Sequence, residues 1–325
     1  MRCVIQNDGN ITVENSEKLV ANKEECLFSV KASGICGSDI PRAFSHEAYY
    51  YPIVVGHEFS GVVKDSQNKD LIGKRACVFP ILPCMKCEFC KKQLWSNCTN
   101  YDYYGSRRNG GMQSELLINE SNLIFLPDNV SFEAGAMIEP TAVCLHAIKK
   151  AKVDATSRVL IFGAGTIGLL CAMWARAFGA KDVFVLDLDE KRMDFARGLG
   201  FSPYSGEEIN VVVEASGSGA ALNEAISSCE AFGKIVLVGH GKKDVCIKHD
   251  VFAKILRKQL TLVGSWNSDF STEANDWEES IQAISTGIIS PQNLITHKIP
   301  LEKAEEAFKI TVDQNEFSNK VMVVM

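Results

Sequence analysis

Residues 159–187, VLIFGAGTIGLLCAMWARAFGAKDVFVLD, settle the architecture of the chain. The apolar run 159–162 has the length of a buried strand, 169–178 continues at helical length, and a second apolar run closes on Asp187. Between strand and helix, Gly163, Gly165 and Gly168 make G-x-G-x-x-G. In such a turn the first glycine permits the tight bend and the second lets backbone approach a pyrophosphate. The third lets helix pack on strand, with the helix N-terminus facing the phosphate charge. Asp187 follows Gly168 by nineteen residues, where a carboxylate bonds both ribose hydroxyls of NAD and repels a 2′-phosphate. Expected dinucleotide contacts are Gly163, Gly165, Thr166, Ile167, Gly168 and Asp187, with Arg192 just beyond. A glycine turn in a cofactor-free α/β domain would carry the same letters.

With 325 residues, 46% hydrophobic and 23% charged, the chain is long enough for two domains with separate cores. A net charge of −6 and the lack of a basic block exclude nucleic acid as the expected partner. The N-terminus, MRCVIQNDGN, has no apolar core for a secretory signal. The uncharged run 159–175 carries three glycines and falls short of the ~20 apolar residues of a membrane span, so a cytoplasmic protein without membrane contact is expected. Twelve cysteines in a reducing compartment suit metal sites or buried thiols better than disulfides.

Residues 1 to about 135 hold short runs, such as 25–30, 61–64 and 76–79, separated by Gly, Pro, Asn and Asp, which predicts an all-β, barrel-like region with long loops. One loop carries Cys36, the next His57; alone, that pair is a metal site or a coincidence with a satisfied core histidine. Cys84, Cys87, Cys90 and Cys98 form C-x2-C-x2-C-x7-C, whose close ligands can converge on one tetrahedral zinc. An iron–sulfur cluster uses similar spacing, favoured by a proline after the last cysteine; Thr99 stands there. Glu139 lies in an apolar context beside Pro140, where a carboxylate is costly unless paired or metal-bound. A solvent-facing acid in the first turn of helix 141–151 reads the same way. Beyond Asp187, helices are expected at 189–199, 219–229 and 251–258 and strands at 210–214, 234–238 and 260–263, with 275–285 as the closing helix of a doubly wound parallel sheet. The tail, with a short helix 301–309 and a strand 320–324, is expected to return to the first domain.

Cys36-Gly37-Ser38-Asp39, Gly56-His57-Glu58 with Gly61, the four-cysteine lobe and the later glycine fingerprint resemble, in order and over the whole chain, the zinc-dependent medium-chain alcohol and polyol dehydrogenases. The resemblance implies a GroES-like β-barrel catalytic domain from residues 1–140 with 288–325, and a Rossmann NAD-binding domain from 141–287. It implies Cys36, His57 and Glu139 as catalytic zinc ligands with an open fourth position, and Glu58 as an acid able to enter that shell. Asp39 would orient the histidine and Ser38 would meet the substrate hydroxyl. Where some relatives carry a relay histidine, Pro41 stands here, leaving His46 as a weak alternative. Cysteinate, glutamate and neutral histidine cancel the charge of Zn2+, while four thiolates leave −2 and close the shell, so the lobe would hold a structural zinc.

The segments 36–42, 50–52, 105–108, 254–258 and 264–266 narrow the resemblance to the branch acting on polyol phosphates, which share much with free-polyol enzymes. Cations for a phosphate would be Arg42, Arg107, Arg108, Lys254 and Lys258; Tyr49, Tyr50 and Trp266 would contact the rest of the substrate. A homodimer or homotetramer is implied. Outside enzymes, the same fold could serve as a dinucleotide- or zinc-binding regulator.

Overall fold

Strong alternation of β-branched runs with helical stretches after residue 157 produces one sheet of six parallel strands. In spatial order they are Ser202–Pro203, Asp182–Leu186, Arg158–Phe162, Ile209–Glu214, Cys229–Leu237 and Thr261–Gly264. In chain order that is third, second, first, fourth, fifth, sixth, the doubly wound arrangement whose reversal lies beside the first strand. The crossovers are Thr166–Ala177, Glu190–Gly198, Gly219–Ser228 and His249–Arg257. Leu160, Phe162, Val212, Ile226 and Ile235 pack into one core cluster. This computed structural model describes residues 1–241, 243–271 and 274–325.

Contacts divide the chain into Met1–Glu139 with Asp269–Met325, and Pro140–Ser268. The first unit is built on a seven-stranded sheet, Ile295–Pro300, Lys320–Val324, Glu25–Gly34, Glu58–Asp65, Arg75–Val78 and Leu123–Phe125 in order, with Glu115–Asn119 also pairing to Glu25–Gly34. Alternation writes itself directly into Glu25–Gly34, where every second residue from Cys26 to Ala32 is buried. The terminal strand returns as expected, with Met322 opposite Gly34.

By contacts, Asp269–Met325 groups with the first unit, so helix Asp276–Ser285, expected beside the parallel sheet, packs against the first unit's core. Its Trp277, 1% exposed, stands edge-on to Phe79 at 5.4 Å, and Ser285 bonds Asn129 at 3.0 Å. An amphipathic helix buries its apolar face against whichever core is near, and periodicity does not name that core. In the first unit, strands Glu115–Asn119 and Leu123–Phe125 are separated by a 3-10 turn, Glu120–Asn122, because the Asn119 side chain caps Ser121 N–H. Strand Ile295–Pro300, which pairs parallel with Lys320–Val324, was not foreseen.

Candidate functional site

The four-cysteine lobe assembles within one loop of the first unit. A short helix, Glu88–Lys91, starts at Cys87, whose sulfur accepts the Cys90 N–H, and a 3-10 turn, Trp95–Asn97, returns Cys98 so that its sulfur accepts the Cys84 N–H at 3.3 Å. All four sulfurs lie within 4.8 Å of one another. Backbone N–H groups of Cys90 and Thr99 hold the Cys87 thiol down to about 5, and those of Lys86 and Cys87 lower Cys84, while burial pushes Cys90 up to about 12. Four converging sulfurs, two of them acidified by the loop itself, fit a tetrahedral zinc. Trp95 docks the lobe with its ring 5.6 Å from Phe270 and 6.4 Å from Phe79.

The second set is drawn from distant parts of the same unit. Strands Glu25–Gly34 and Glu58–Asp65 pair antiparallel with Gly34 opposite Glu58, which sets Cys36 beside His57. Ligand atoms of Cys36, His57 and Glu58 lie within 4.8 Å of one another. A Cβ on Gly34 would stand 2.2 Å from Glu58 Oε2, so only glycine leaves the carboxylate its place. Glu139, in the first turn of helix Ile138–Ala151, is buried beside them rather than inside that tight group. Burial pushes its carboxyl up to about 8, against the pull of His57 and with the charges of Glu58 and Cys36 adding to it. Burial, and then Glu58, push the Cys36 thiol up to about 11.

Asp39 is fully buried and accepts the Cys36 N–H at 3.1 Å and Arg42 Nη1 at 3.1 Å. Its Oδ1 is 3.7 Å from His57 Nδ1, beyond a hydrogen bond, and that nitrogen is buried without a partner. Ser38 bonds the Cys36 sulfur and accepts from Arg42 Nη1 at 3.2 Å. His46 stacks edge-on against Tyr51 at 5.8 Å. A buried imidazole, a thiol and a carboxyl with ligand atoms within 4.8 Å of one another, and a second buried carboxyl beside them, form a donor set that a divalent cation completes, and these residues fit zinc.

Sequence reading missed Lys320. It is 3% exposed, heads the terminal strand, and donates to both Glu58 oxygens at 2.8 and 2.6 Å and to Ile35 O at 3.1 Å. Burial lowers its pKa, but the charges of Glu58, Cys36 and Glu139 together with the Glu58 hydrogen bond raise it on balance, so the ammonium is retained. A lysine opening the run KVMVV was the only hint, and it reads equally as a solvated strand end. Tyr103 was also missed as a neighbour of the site; its ring meets His57 edge-on at 5.6 Å.

Of the expected phosphate cations, Arg42 pairs with Asp39 and Arg108 with Asp102 at 2.6 Å. In the second unit Lys254 donates to Ser227 Oγ at 2.9 Å and Lys258 to Ser227 O at 2.9 Å, bonds within the fold. Arg107 lies between the rings of Tyr49 and Tyr101. Tyr50 donates to Asn109 Oδ1 at 3.4 Å, and Trp266, just after strand Thr261–Gly264, is 59% exposed.

In the second unit the fingerprint turn has the expected shape. Gly163 takes φ +99°, and a Cβ on Gly168 would strike Gly163 O at 1.8 Å, so the helix could not seat with any other residue there. Helix Thr166–Ala177 starts at Gly165 without a side-chain cap, which puts its N-terminal end, the favoured place for an anion, directly after the glycine turn. Asp187 accepts Ala164 N–H at 2.7 Å and Asp189 N–H at 3.0 Å, which fixes its carboxylate at the wall of a cavity of about 250 Å3 that Gly163, Leu188, Ser216 and Glu224 also line. Arg192 reaches over the turn, its Nη1 3.2 Å from where a Cβ of Gly165 would be. An open helix N-terminus and a fixed acid beside a cavity fit a dinucleotide.

Comparison with known proteins matches residues 22–128 to the alcohol dehydrogenase GroES-like domain and residues 166–286 to the zinc-binding dehydrogenase family. The chain is 33% identical over 350 aligned positions to galactitol 1-phosphate 5-dehydrogenase of Escherichia coli K12, covering all of both chains. It is 30% identical to sorbitol dehydrogenase of Bombyx mori, covering 94% of each. The crystal structure of galactitol-1-phosphate dehydrogenase from Escherichia coli superimposes with a TM-score of 0.92 at 32% identity over the full length of both.

Proposed function

We infer that this chain, which belongs to the zinc-binding medium-chain dehydrogenases and is a polyol dehydrogenase acting on CH–OH donors, takes a polyol phosphate of the galactitol 1-phosphate kind as substrate. A secondary hydroxyl becomes a ketone, and the hydride goes to NAD+. The observation that carries this reading is the buried gathering of Cys36, His57 and Glu58 with Glu139 beside them. Cys36, His57 and Glu139 would hold a zinc there, whose positive charge would acidify a hydroxyl as zinc lowers the pKa of water from ~15.7 to about 7.

The protein's own residues then have distinct tasks. Lys320 neutralises Glu58 and keeps it from competing at rest. Ser38 stands at Cys36 to bond the reacting hydroxyl and carry its proton outward. Arg42 bonds Ser38 Oγ, and since a guanidinium does not give up its proton at working pH, Arg42 orients the serine and takes no part as a base. With Pro41 at the usual relay position, the proton leaves from Ser38 to water. In the second unit, the turn Gly163 to Gly168 and helix Thr166–Ala177 receive the pyrophosphate, and Asp187 the ribose hydroxyls. The open edge strand Thr261–Gly264 offers a second copy a pairing surface, consistent with a homodimer.

The test is NADH formation by the zinc-loaded protein with galactitol 1-phosphate, other polyol phosphates and free polyols. Phosphate esters are expected to give the higher kcat/KM, and NADP+ is expected to be the poorer acceptor because Asp187 repels a 2′-phosphate. No NADH from any polyol sinks the reading. Equal kcat/KM with and without phosphate replaces it with a free-polyol dehydrogenase.

A further inference from the structure

We propose that Arg107, held between Tyr49 and Tyr101, is the residue that reads the phosphate of the substrate. This deepens the polyol-phosphate reading and rests on it. A guanidinium has two flat faces and an edge of N–H donors matched to the oxygens of a phosphate. The guanidinium carbon of Arg107 stands over the Tyr49 ring at 4.5 Å and over the Tyr101 ring at 4.4 Å, Nη2 donates to Tyr49 Oη at 3.3 Å, and Tyr101 also bonds the side chain. The two tyrosines hold the group in place while leaving the residue exposed.

Charge balance separates Arg107 from its neighbours. Arg42 and Arg108 each sit on a carboxylate, and a cation already paired has little to gain from an anionic ligand. Among the described residues no carboxylate lies within ion-pair distance of Arg107, although it is exposed. An exposed guanidinium that is ordered yet unneutralised is prepared for a small dianion, because the ordering entropy has already been met by the two rings.

Position ties the clamp to the reacting centre. The N–H groups of Arg107 and Arg108 both donate to Tyr103 O, at 3.0 and 3.2 Å, in the turn where Gly105 has φ +83°. The ring of that same Tyr103 meets His57 at 5.6 Å and Tyr101 at 6.1 Å. One residue therefore touches both the imidazole and the clamp, which ties Arg107 to the His57 side of the site. A phosphate on Arg107 leaves the far part of an extended carbon chain, with its secondary hydroxyls, to face Cys36 and His57.

The experiment compares zinc-loaded wild type with Arg107→Met, Arg107→Lys and Tyr101→Ala. Steady-state kinetics are read with galactitol 1-phosphate, galactitol and a six-carbon sugar acid. Calorimetric binding of galactitol 1-phosphate and of inorganic phosphate is read without NAD+. The ratio of kcat/KM for phosphorylated over free polyol is expected to fall roughly 30-fold in Arg107→Met, through KM, as expected for loss of a charge-assisted pair. Arg107→Lys should recover part of it, and Tyr101→Ala should fall between. Inorganic phosphate should bind wild type and fail to bind Arg107→Met. An unchanged ratio, equal losses on both substrates, a sugar acid preferred to the phosphate ester, or phosphate binding untouched by Arg107→Met each overturns the proposal. If wild type makes no NADH from any substrate, the functional reading fails, and the calorimetry still decides whether Arg107 binds the phosphate.

Discussion

The four-cysteine lobe and the Cys36 set lie in one unit and are suited to the same ion, yet they are prepared in opposite ways. The lobe draws its ligands from fifteen consecutive residues, and the N–H groups of its own turns acidify Cys87 to about 5. The Cys36 set draws on residues over a hundred positions apart, and burial holds Cys36 at about 11 and Glu139 at about 8. A local turn can ready thiolates before metal arrives. A buried, long-range set keeps its protons until metal displaces them, and it keeps polar neighbours, Ser38 and Lys320, that a closed structural site has no use for.

The largest test of this contrast is removal of one ligand from each set. Cys36→Ala is expected to lose one of two zinc equivalents and roughly 10^3-fold or more in kcat, on the scale of losing the charge that stabilises a transition state. Cys87→Ala should lose the other equivalent and show its damage first as a lower Tm. Metal analysis with kinetics checks both, and a Cys36→Ala protein that keeps two zincs breaks the assignment.

Next in size is Lys320→Met. Removing one partner of a buried ion pair strands the other, which costs about 3–5 kcal/mol. Urea unfolding of the metal-free protein should show that loss, with Lys320→Arg recovering most of it. A change below about 1 kcal/mol means Glu58 finds another partner, on the scale of an exposed pair.

The smallest effect is in pH. Burial raises the folded pKa of Glu139 to about 8 from the ordinary carboxyl value of 4.5, so between those values the folded state holds a proton that the unfolded state has released. Stability from this group is therefore lost as pH rises through that window, by about 1.4 kcal/mol per pH unit. Unfolding free energies of metal-free wild type minus Glu139→Gln should carry that slope from pH 5 to 7.5. Saturating zinc, which selects the deprotonated carboxylate, should remove it. A flat difference without metal would show that Glu139 is already ionised and that the two sets are less unlike than described.

Legibility follows the same divide. The cysteine spacing and the glycine fingerprint were readable because ligands or backbone groups a few residues apart meet through local geometry alone. Alternation placed most strands of both units to within a few residues, and Lys320–Val324 to the residue. Helix Asp276–Ser285 was legible as a helix, but not the core its contacts join, since its apolar stripe fits either. Among five basic side chains nothing in the letters distinguished Arg107, because whether a cation is neutralised depends on which carboxylate the fold brings to it.

What the sequence determined by itself was therefore the local chemistry: a glycine turn opening a helix, a loop of four sulfurs, and the residue types around Cys36 and His57. Tertiary structure decided the rest. It set Lys320 on Glu58 across 262 positions of chain, drew Glu139 into a buried place beside His57, and left Arg107 at two tyrosines without a counter-charge among the described residues. These are balances of charge and burial among groups distant in sequence, and such balances exist only once strands are paired and cores are packed.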